Sequence, residues 1–219
     1  MHDWAAYIPL MLQGAWMTLR LTALGCTIAL VIAFAVGLAR LSRRPVVRTA
    51  ATLYTEFFRG TSVFVQLFWA YYVLPLFGLS LSPFVAGAAV LGLNVGAYGA
   101  ETVRGAVQSV DRDQLEACTA LNLTRFRALR HVIVPQAIPV MLPVFGNNAI
   151  ELLKSTAVVS LISLSDLTFQ AQVARAQTGS DFMPFLFILI VYFCFSSAIS
   201  FSVRGLERRL TRGLDRLGA

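Results

Sequence analysis

The sequence predicts an all-α membrane protein with five membrane-crossing helices. Two observations predict it. The chain is 57% hydrophobic and only 13% charged, whereas soluble domains carry about 25% charged residues. The apolar residues also gather in runs that reach or exceed the roughly 20 residues a helix needs to cross a bilayer. A net charge of +7 would suggest nucleic acid in a soluble protein, but here the basic residues lie between the apolar runs. The expected surroundings are a lipid bilayer, and no nucleic-acid partner is expected.

Taken in order, the chain opens Met-His-Asp-Trp, with no Lys or Arg before the first apolar stretch. A secretory signal needs a basic start, so the first apolar segment is expected to stay in the mature chain. Residues 21–39 are an uncharged run and, with the turn before it, give a span of approximately 14–39. Residues 60–100 form a longer uncharged run interrupted at Pro75, Gly78 and Pro83. Proline and glycine punctuate helices, which predicts two spans, 58–77 and 84–103. A fourth span is expected over 142–164, carrying Glu151 and Lys154, and a fifth over 182–203. The whole chain, 1–219, reads as a single transmembrane domain.

Arginine placement sets the expected orientation. Arg40, Arg43, Arg44, Arg48 and Arg59 fall between spans one and two; Arg104, Arg112, Arg125, Arg127 and Arg130 between spans three and four. Arg204, Arg208, Arg209, Arg212 and Arg216 form the tail, and the opposite side has Arg175. Basic residues concentrate on the cytoplasmic side of a membrane, so the N-terminus is expected outside and the C-terminus in the cytoplasm. Cys26, Cys118 and Cys194 are scattered, and His2 and His131 have no donors at metal spacing, so neither a disulfide framework nor a metal site is expected.

The loop 104–141 carries most of the information. It is too polar to span, yet it is not linker-like. Residues 111–121 read as a short helix with acidic residues near its start, where they suit the helix dipole. Asn122 fits the left-handed position that ends such a helix, and Thr124 is a candidate N-cap for a second short helix over 125–132. Pro135, Pro139 and Pro143 are expected to end regular helix before the fourth span. A helix-turn-helix on the cytoplasmic side suits a docking surface for a soluble partner.

Glu116-Ala117-Cys118, three residues, Asn122, nine residues, Val132, one residue and Val134-Pro135 resemble the EAA loop of ABC importer permeases. The family pattern is Glu-Ala-Ala, three residues, Gly, nine residues, Ile, one residue and Leu-Pro. The resemblance extends along nearly the whole chain to the polar amino-acid uptake subfamily. It is carried by Thr55-Glu-Phe-Phe-Arg-Gly-Thr61, Ala97-Tyr-Gly-Ala-Glu-Thr-Val-Arg-Gly105, Pro135-Gln136-Ala137 and Lys154-Ser155-Thr156. Cys118 stands for Ala, Asn122 for Gly, Val134 for Leu, and Asp113 for the Gly usual before Gln114. None of these removes Glu116.

The resemblance implies a type I, MetI-like permease fold whose loop couples to an ATPase. Glu116, Ala117, Cys118, Asn122, Thr124, Arg125, Arg127, Arg130 and Pro135 are then the coupling residues. It implies two permease subunits, as a homodimer or with a sister permease. An ABC ATPase dimer would bind below, and an extracytoplasmic solute-binding protein would deliver cargo above. The general look is close to permeases for ectoine and hydroxyectoine, with a polar amino acid or opine as the alternative solute.

ATP chemistry must come from the partner. A phosphate-binding loop needs a glycine-rich stretch ending in Lys and then Ser or Thr. The chain's single lysine, Lys154, follows Ile150-Glu-Leu-Leu153 with no glycine bend. ATP and magnesium are therefore expected on the ATPase subunits, no cofactor is expected on this chain, and the chain is not expected to be an enzyme by itself.

Ionisable groups inside spans are functional candidates because they are costly there. Glu101 and Arg104, and Glu151 and Lys154, each sit three residues apart and are expected to pair on one helix face. Asn147, Asn148, Glu151, Lys154 and Glu101 are the candidate solute-pathway residues. Glu56 and Arg59 read as an ion pair fixing the cytoplasmic entrance of span two. Gly92 and Gly96, with Gly87 and Gly99 nearby, have the spacing of close helix packing. Two rivals stand beside the importer reading: a membrane-embedded enzyme, and a non-transporting scaffold or sensor that docks a cytoplasmic ATPase.

Overall fold

The computed structural model describes residues 4–215; His2 and Arg216, named above, lie outside them. The described residues contain helices and no strand. Helix α1, Ile8–Arg40, presents a buried stripe of small residues: Thr18, Thr22, Gly25, Ala29, Ala33 and Gly37. It packs along α4, Pro83–Gln108, whose glycines make the contact close. A Cβ on Gly92 would lie 2.7 Å from the Ile28 Cβ, one on Gly96 2.8 Å from the Ile32 Cβ, and one on Gly99 2.7 Å from the Ala33 Cβ. Membrane helices gain little from the hydrophobic effect, because lipid tails are as apolar as leucine. Small residues that admit close backbone approach supply the dispersion contacts instead.

The basic stretch after α1 is itself helical: α2 runs Pro45–Gly60. The chain then bends by 103°. It continues as α3, Val63–Phe68, a wide π-turn at Trp69–Val73 and a tight 3₁₀ turn at Leu74–Phe77. The segment expected over 58–77 is thus the second arm of a broken helix pair. The break needs side chains to satisfy the carbonyls a continuous helix would have bonded. Asn94 on α4 and Gln66 on α3 both donate to the Phe58 carbonyl, at 2.8 and 3.1 Å, and Asn94 also donates to the Gln66 side-chain oxygen at 3.1 Å. Gln66 reaches the Thr61 hydroxyl at 2.7 Å, and the Tyr54 hydroxyl donates to the Leu93 carbonyl at 2.6 Å.

After α4 come α5, Arg112–Ala120, and α6, Arg125–Ala128. A π-turn at Leu129–Ile133 leads without interruption into α7, Val134–Ser155, and a 3₁₀ extension to Ile162. The prolines do not end regular helix, contrary to the sequence reading: Pro139 and Pro143 lie inside α7 and Pro135 in its first turn. Their four-residue spacing puts all three missing N–H donors on one stripe, so the rest of the ladder survives. The wide turn before Pro135 makes room for its ring. For the same reason the second short helix expected over 125–132 is the first part of one continuous rod, which also absorbs the span expected over 142–164.

On the far side, Asp166 caps α8, Leu167–Thr178, accepting from the Phe169 N–H at 2.9 Å. Gly179 then turns left-handed at φ +65° into α9, Phe182–Asp215. Four of these helices are long and apolar enough to cross a membrane, or five if the bent pair counts as one span.

Candidate functional site

The first candidate surface is the segment between α4 and α7. Its turn is built from backbone bonds: the Leu123 N–H donates to the Cys118 carbonyl at 2.9 Å, and that of Asn122 to the Thr119 carbonyl at 3.0 Å. This closes α5 as a left-handed cap, with Asn122 at φ +51°. Asparagine is the usual non-glycine choice there. Thr124 accepts from the Arg127 N–H at 3.4 Å, starting α6, and the Gln136 amide donates to the Gln114 side chain at 3.3 Å, tying α7 to α5. Cys118 and Ala128 point inward. Glu116, Ala117, Asn122, Thr124, Arg125, Arg127, Arg130 and Pro135 are exposed.

Beside them are apolar side chains that the motif does not include. Leu121 is 73% and Phe126 68% exposed, and Leu115 is exposed as well. An apolar centre among exposed guanidiniums and carboxylates has the make-up of a protein-docking surface. The signal for Leu121 and Phe126 was present in the sequence as apolar residues in a polar loop. Only the helix phases show that they point away from the body.

The second candidate region lies within the membrane-crossing helices. Glu101 receives Arg104 on its own helix, as expected, but also Arg40 from α1 at 2.5 Å. Arg104 further donates to Gln108 at 2.5 Å. Arg40 was not foreseen in this role, because pairing across 61 positions has no local sequence signal.

Glu151 and Lys154 do not form the expected pair. Both are exposed, with no ion pair among the described residues. The Glu56–Arg59 pair is likewise not formed; Arg59 instead lies over the Tyr98 ring, 5.4 Å from its centroid. Spacing permits such pairs, but rotamers choose among all partners in reach.

Asn147, Glu151 and Lys154 share one exposed stripe of α7. Asn148 points elsewhere, into an apolar cavity of about 190 Å³ lined also by Cys26, Gly99, Phe145, Gly146 and Val203. Its Nδ2 is buried with no hydrogen-bond partner. The five predicted pathway residues therefore divide among an ion cluster, an exposed stripe and a cavity, rather than meeting at one point.

A third polar cluster sits at the end of the helices remote from the turn between α5 and α6. Asp166 is fully buried, and its Oδ2 has no partner. Tyr192 from α9 lies 3.3 Å from the hydroxyls of both Thr156 and Thr168. Burial pushes the Asp166 carboxyl up to about 6, against the lowering effect of the N–H groups of Phe169 and Thr168. No group of three or more potential metal-binding side chains occurs among the described residues.

Comparison with known proteins gives a consistent set of relatives. Residues 25–212 match the family described as the binding-protein-dependent transport system inner membrane component. A probable amino-acid ABC transporter permease protein, y4tF, of Sinorhizobium fredii is 45% identical over 216 residues, covering 96% of this chain and 91% of its own length. The glutamine transport system permease protein GlnP of Escherichia coli K12 is 36% identical over 213 residues, covering 95% and 97%.

Among solved structures, an amino acid ABC transporter crystallised with histidines superposes with a TM-score of 0.87 at 38% identity, over 94% of this chain and 96% of that one. An inward-facing methionine transporter, MetNI, superposes at 0.82 and 20% identity, covering 96% and 99%. The second likeness speaks for the fold alone.

Proposed function

The chain belongs to the family of binding-protein-dependent transport system inner membrane components, and from that premise we propose that it forms half of the translocation pathway of an ATP-driven importer for a polar amino acid. The observation that carries this reading is the pairing of two exposed features on one rigid rod. The docking surface at α5 and α6, with its apolar centre and basic rim, leads directly into α7. The exposed stripe of α7 carries Asn147, Glu151 and Lys154. Intramembrane charges face a bundle interior or a water-filled cavity rather than lipid, so this stripe turns toward a second permease copy and the path between them.

In this reading an ATPase dimer docks around Glu116, Arg125, Arg127 and Arg130, with the N-terminus outside and the C-terminus in the cytoplasm. ATP binding closes the ATPases, and the loop passes that motion to the helices. An extracytoplasmic binding protein releases solute into the outward-open dimer. The chain makes and breaks no covalent bond; it converts one rigid-body change into alternating access.

The relatives' substrates favour a polar amino acid. Ectoine and hydroxyectoine are zwitterions of related size and charge, and they remain the finer solute proposal. A scaffold that docks an ATPase without moving solute would share the loop, but it would have no use for an exposed polar stripe in α7.

The test is uptake. Deleting the gene and supplying labelled polar amino acids, ectoine and hydroxyectoine should show loss of one solute, restored by the wild type and not by Glu116→Lys. Unchanged uptake across the panel in a strain without redundant systems would overturn the transport reading. Full rescue by Glu116→Lys would overturn the coupling role of the loop.

A further inference from the structure

We propose that Arg59, backed by Tyr98, is a carboxylate-reading site inside the permease, which selects the α-carboxylate of the solute during its passage. The proposal rests on the reading of the cargo as an amino acid and adds a specific recognition point to it.

Arg59 sits on the last turn of α2, immediately before the 103° bend. Its guanidinium lies over Tyr98, which is on α4 between Asn94 and Glu101. That places it at the depth of the apolar helices rather than beyond their ends. Both residues are exposed.

Arg59 has no ion pair or hydrogen bond among the described residues. Glu56, one turn away, does not reach it, and the Glu101 carboxylate is already held by Arg40 and Arg104. Three guanidiniums (Arg40, Arg59 and Arg104) thus surround one carboxylate, and the one without an acceptor is Arg59. An arginine keeps its charge at any accessible pH and brings five N–H donors. At membrane depth such a charge is stabilised by an aqueous cavity or an anion; Glu101 lies within electrostatic reach of Arg59 but accepts no hydrogen bond from it, so its donors remain open to a second carboxylate.

The geometry around it is built to hold still. Asn94 and Gln66 clamp the Phe58 carbonyl, one residue before Arg59, so the end of α2 is pinned to α4. The guanidinium carbon lies 5.4 Å from the Tyr98 centroid, a cation–π contact that ties the charge to α4 without using any of its N–H donors. A planar fork of this kind binds a carboxylate through two parallel hydrogen bonds. A neutral carboxamide offers one acceptor oxygen and no charge, so the site should distinguish an amino acid from its amide.

The test uses the assembled permease–ATPase complex in lipid nanodiscs without the solute-binding protein, which would impose its own selection. The probe is the labelled amino acid identified in the uptake panel, with its α-carboxamide as competitor. The wild type should prefer the acid by about tenfold or more, as expected for hydrogen bonds to a charged group. Arg59→Gln should bring the ratio close to one, and Arg59→Lys and Tyr98→Leu should leave intermediate values. The ratio is taken within each sample, so a smaller assembled fraction does not change it.

An unchanged ratio in Arg59→Gln, or a wild type that binds no amino acid or treats acid and amide alike, would overturn the proposal. Absence of wild-type amino-acid uptake in the panel would overturn the cargo reading itself. That failure is recognised by missing transport rather than by an unaltered ratio.

Discussion

The Thr18 hydroxyl on α1 accepts the backbone N–H of Leu167 at 3.1 Å, with both groups buried and 149 positions apart. This bond satisfies one of the unpaired donors at the start of α8 and fixes that helix to the first. Gly14, one turn earlier, makes the approach possible: a Cβ there would lie 2.7 Å from the Asp166 carbonyl oxygen. Thr18→Val keeps the shape and removes the acceptor, leaving a buried N–H unsatisfied at a cost of about 1–3 kcal/mol. Thermal unfolding of the purified complex should show a lower midpoint for Thr18→Val and a near-normal one for Thr18→Ser. Equal midpoints for both would mean that the bond contributes nothing.

Asp166 predicts a pH dependence of stability. Its carboxyl titrates at about 6 when folded, above the ordinary 3.8, because burial disfavours the charge. The folded state therefore holds this proton more tightly than the unfolded chain. The associated stability is fully present below about pH 4 and is lost as pH rises through 6, to the extent of about 3 kcal/mol. Asp166→Asn retains a capping oxygen and removes the charge. Its stability advantage over the wild type should therefore grow between pH 5 and pH 7.5; a difference independent of pH would contradict the buried-carboxylate account.

Gly92→Val should be among the most damaging single changes in the membrane region. The new side chain would meet the Ile28 Cβ at 2.7 Å and the Gly25 carbonyl oxygen at 3.0 Å, forcing α1 and α4 apart. Overpacking of this kind typically costs about 1–3 kcal/mol or more. Lower yield of detergent-stable protein is expected for Gly92→Val, whereas Gly105→Ala, where a Cβ meets nothing within 4 Å, should be neutral. Equal yields would show that the helix pair has slack at this point.

At the turn between α5 and α6, Asn122 holds φ +51°. Asn122→Gly should preserve solute-stimulated ATP hydrolysis. Asn122→Val, a β-branched residue in a left-handed position, costs about 1–3 kcal/mol of strain and should reduce coupling by re-aiming Leu121 and Phe126. Assaying hydrolysis and uptake together separates the outcomes, since a folding defect lowers both while a coupling defect spares basal hydrolysis. Wild-type coupling in Asn122→Val would place the docking surface elsewhere.

The helical class, the apolar runs and the caps at Asn122 and Thr124 were legible from the sequence because they are local. The GxxxG spacing also marked α4 for close helix packing, without naming α1 as the partner. What escaped was the facing of side chains and their choice of partner, which spacing alone does not set. Glu151 and Lys154 have the right spacing and remain apart, Arg59 chooses an aromatic ring over Glu56, and Arg40 reaches Glu101 across two helices. The prolines misled for a related reason: each counts against helix singly, but their common stripe and the preceding π-turn let one helix contain them. In the candidate site, residue types were readable and their facing was not, so Leu121 and Phe126 went unnoticed beside a motif defined by polar neighbours.

The continuity of Arg125–Ile162 has a mechanical consequence. These 38 residues form one helical rod, about 57 Å long at the α-helical rise. Its near end starts at the turn after α5, and its far half carries Asn148 and Glu151. A helix with no loop along its length passes a push at its base onward by tipping or twisting, with the π-turn and the proline stripe as its softest stretch. A small sideways displacement at Arg125 therefore arrives at Glu151 scaled by the ratio of the two arms about whatever point α4 and α9 hold still. The excursion at Glu151 is set by the position of that fulcrum, more than by the force at the handle.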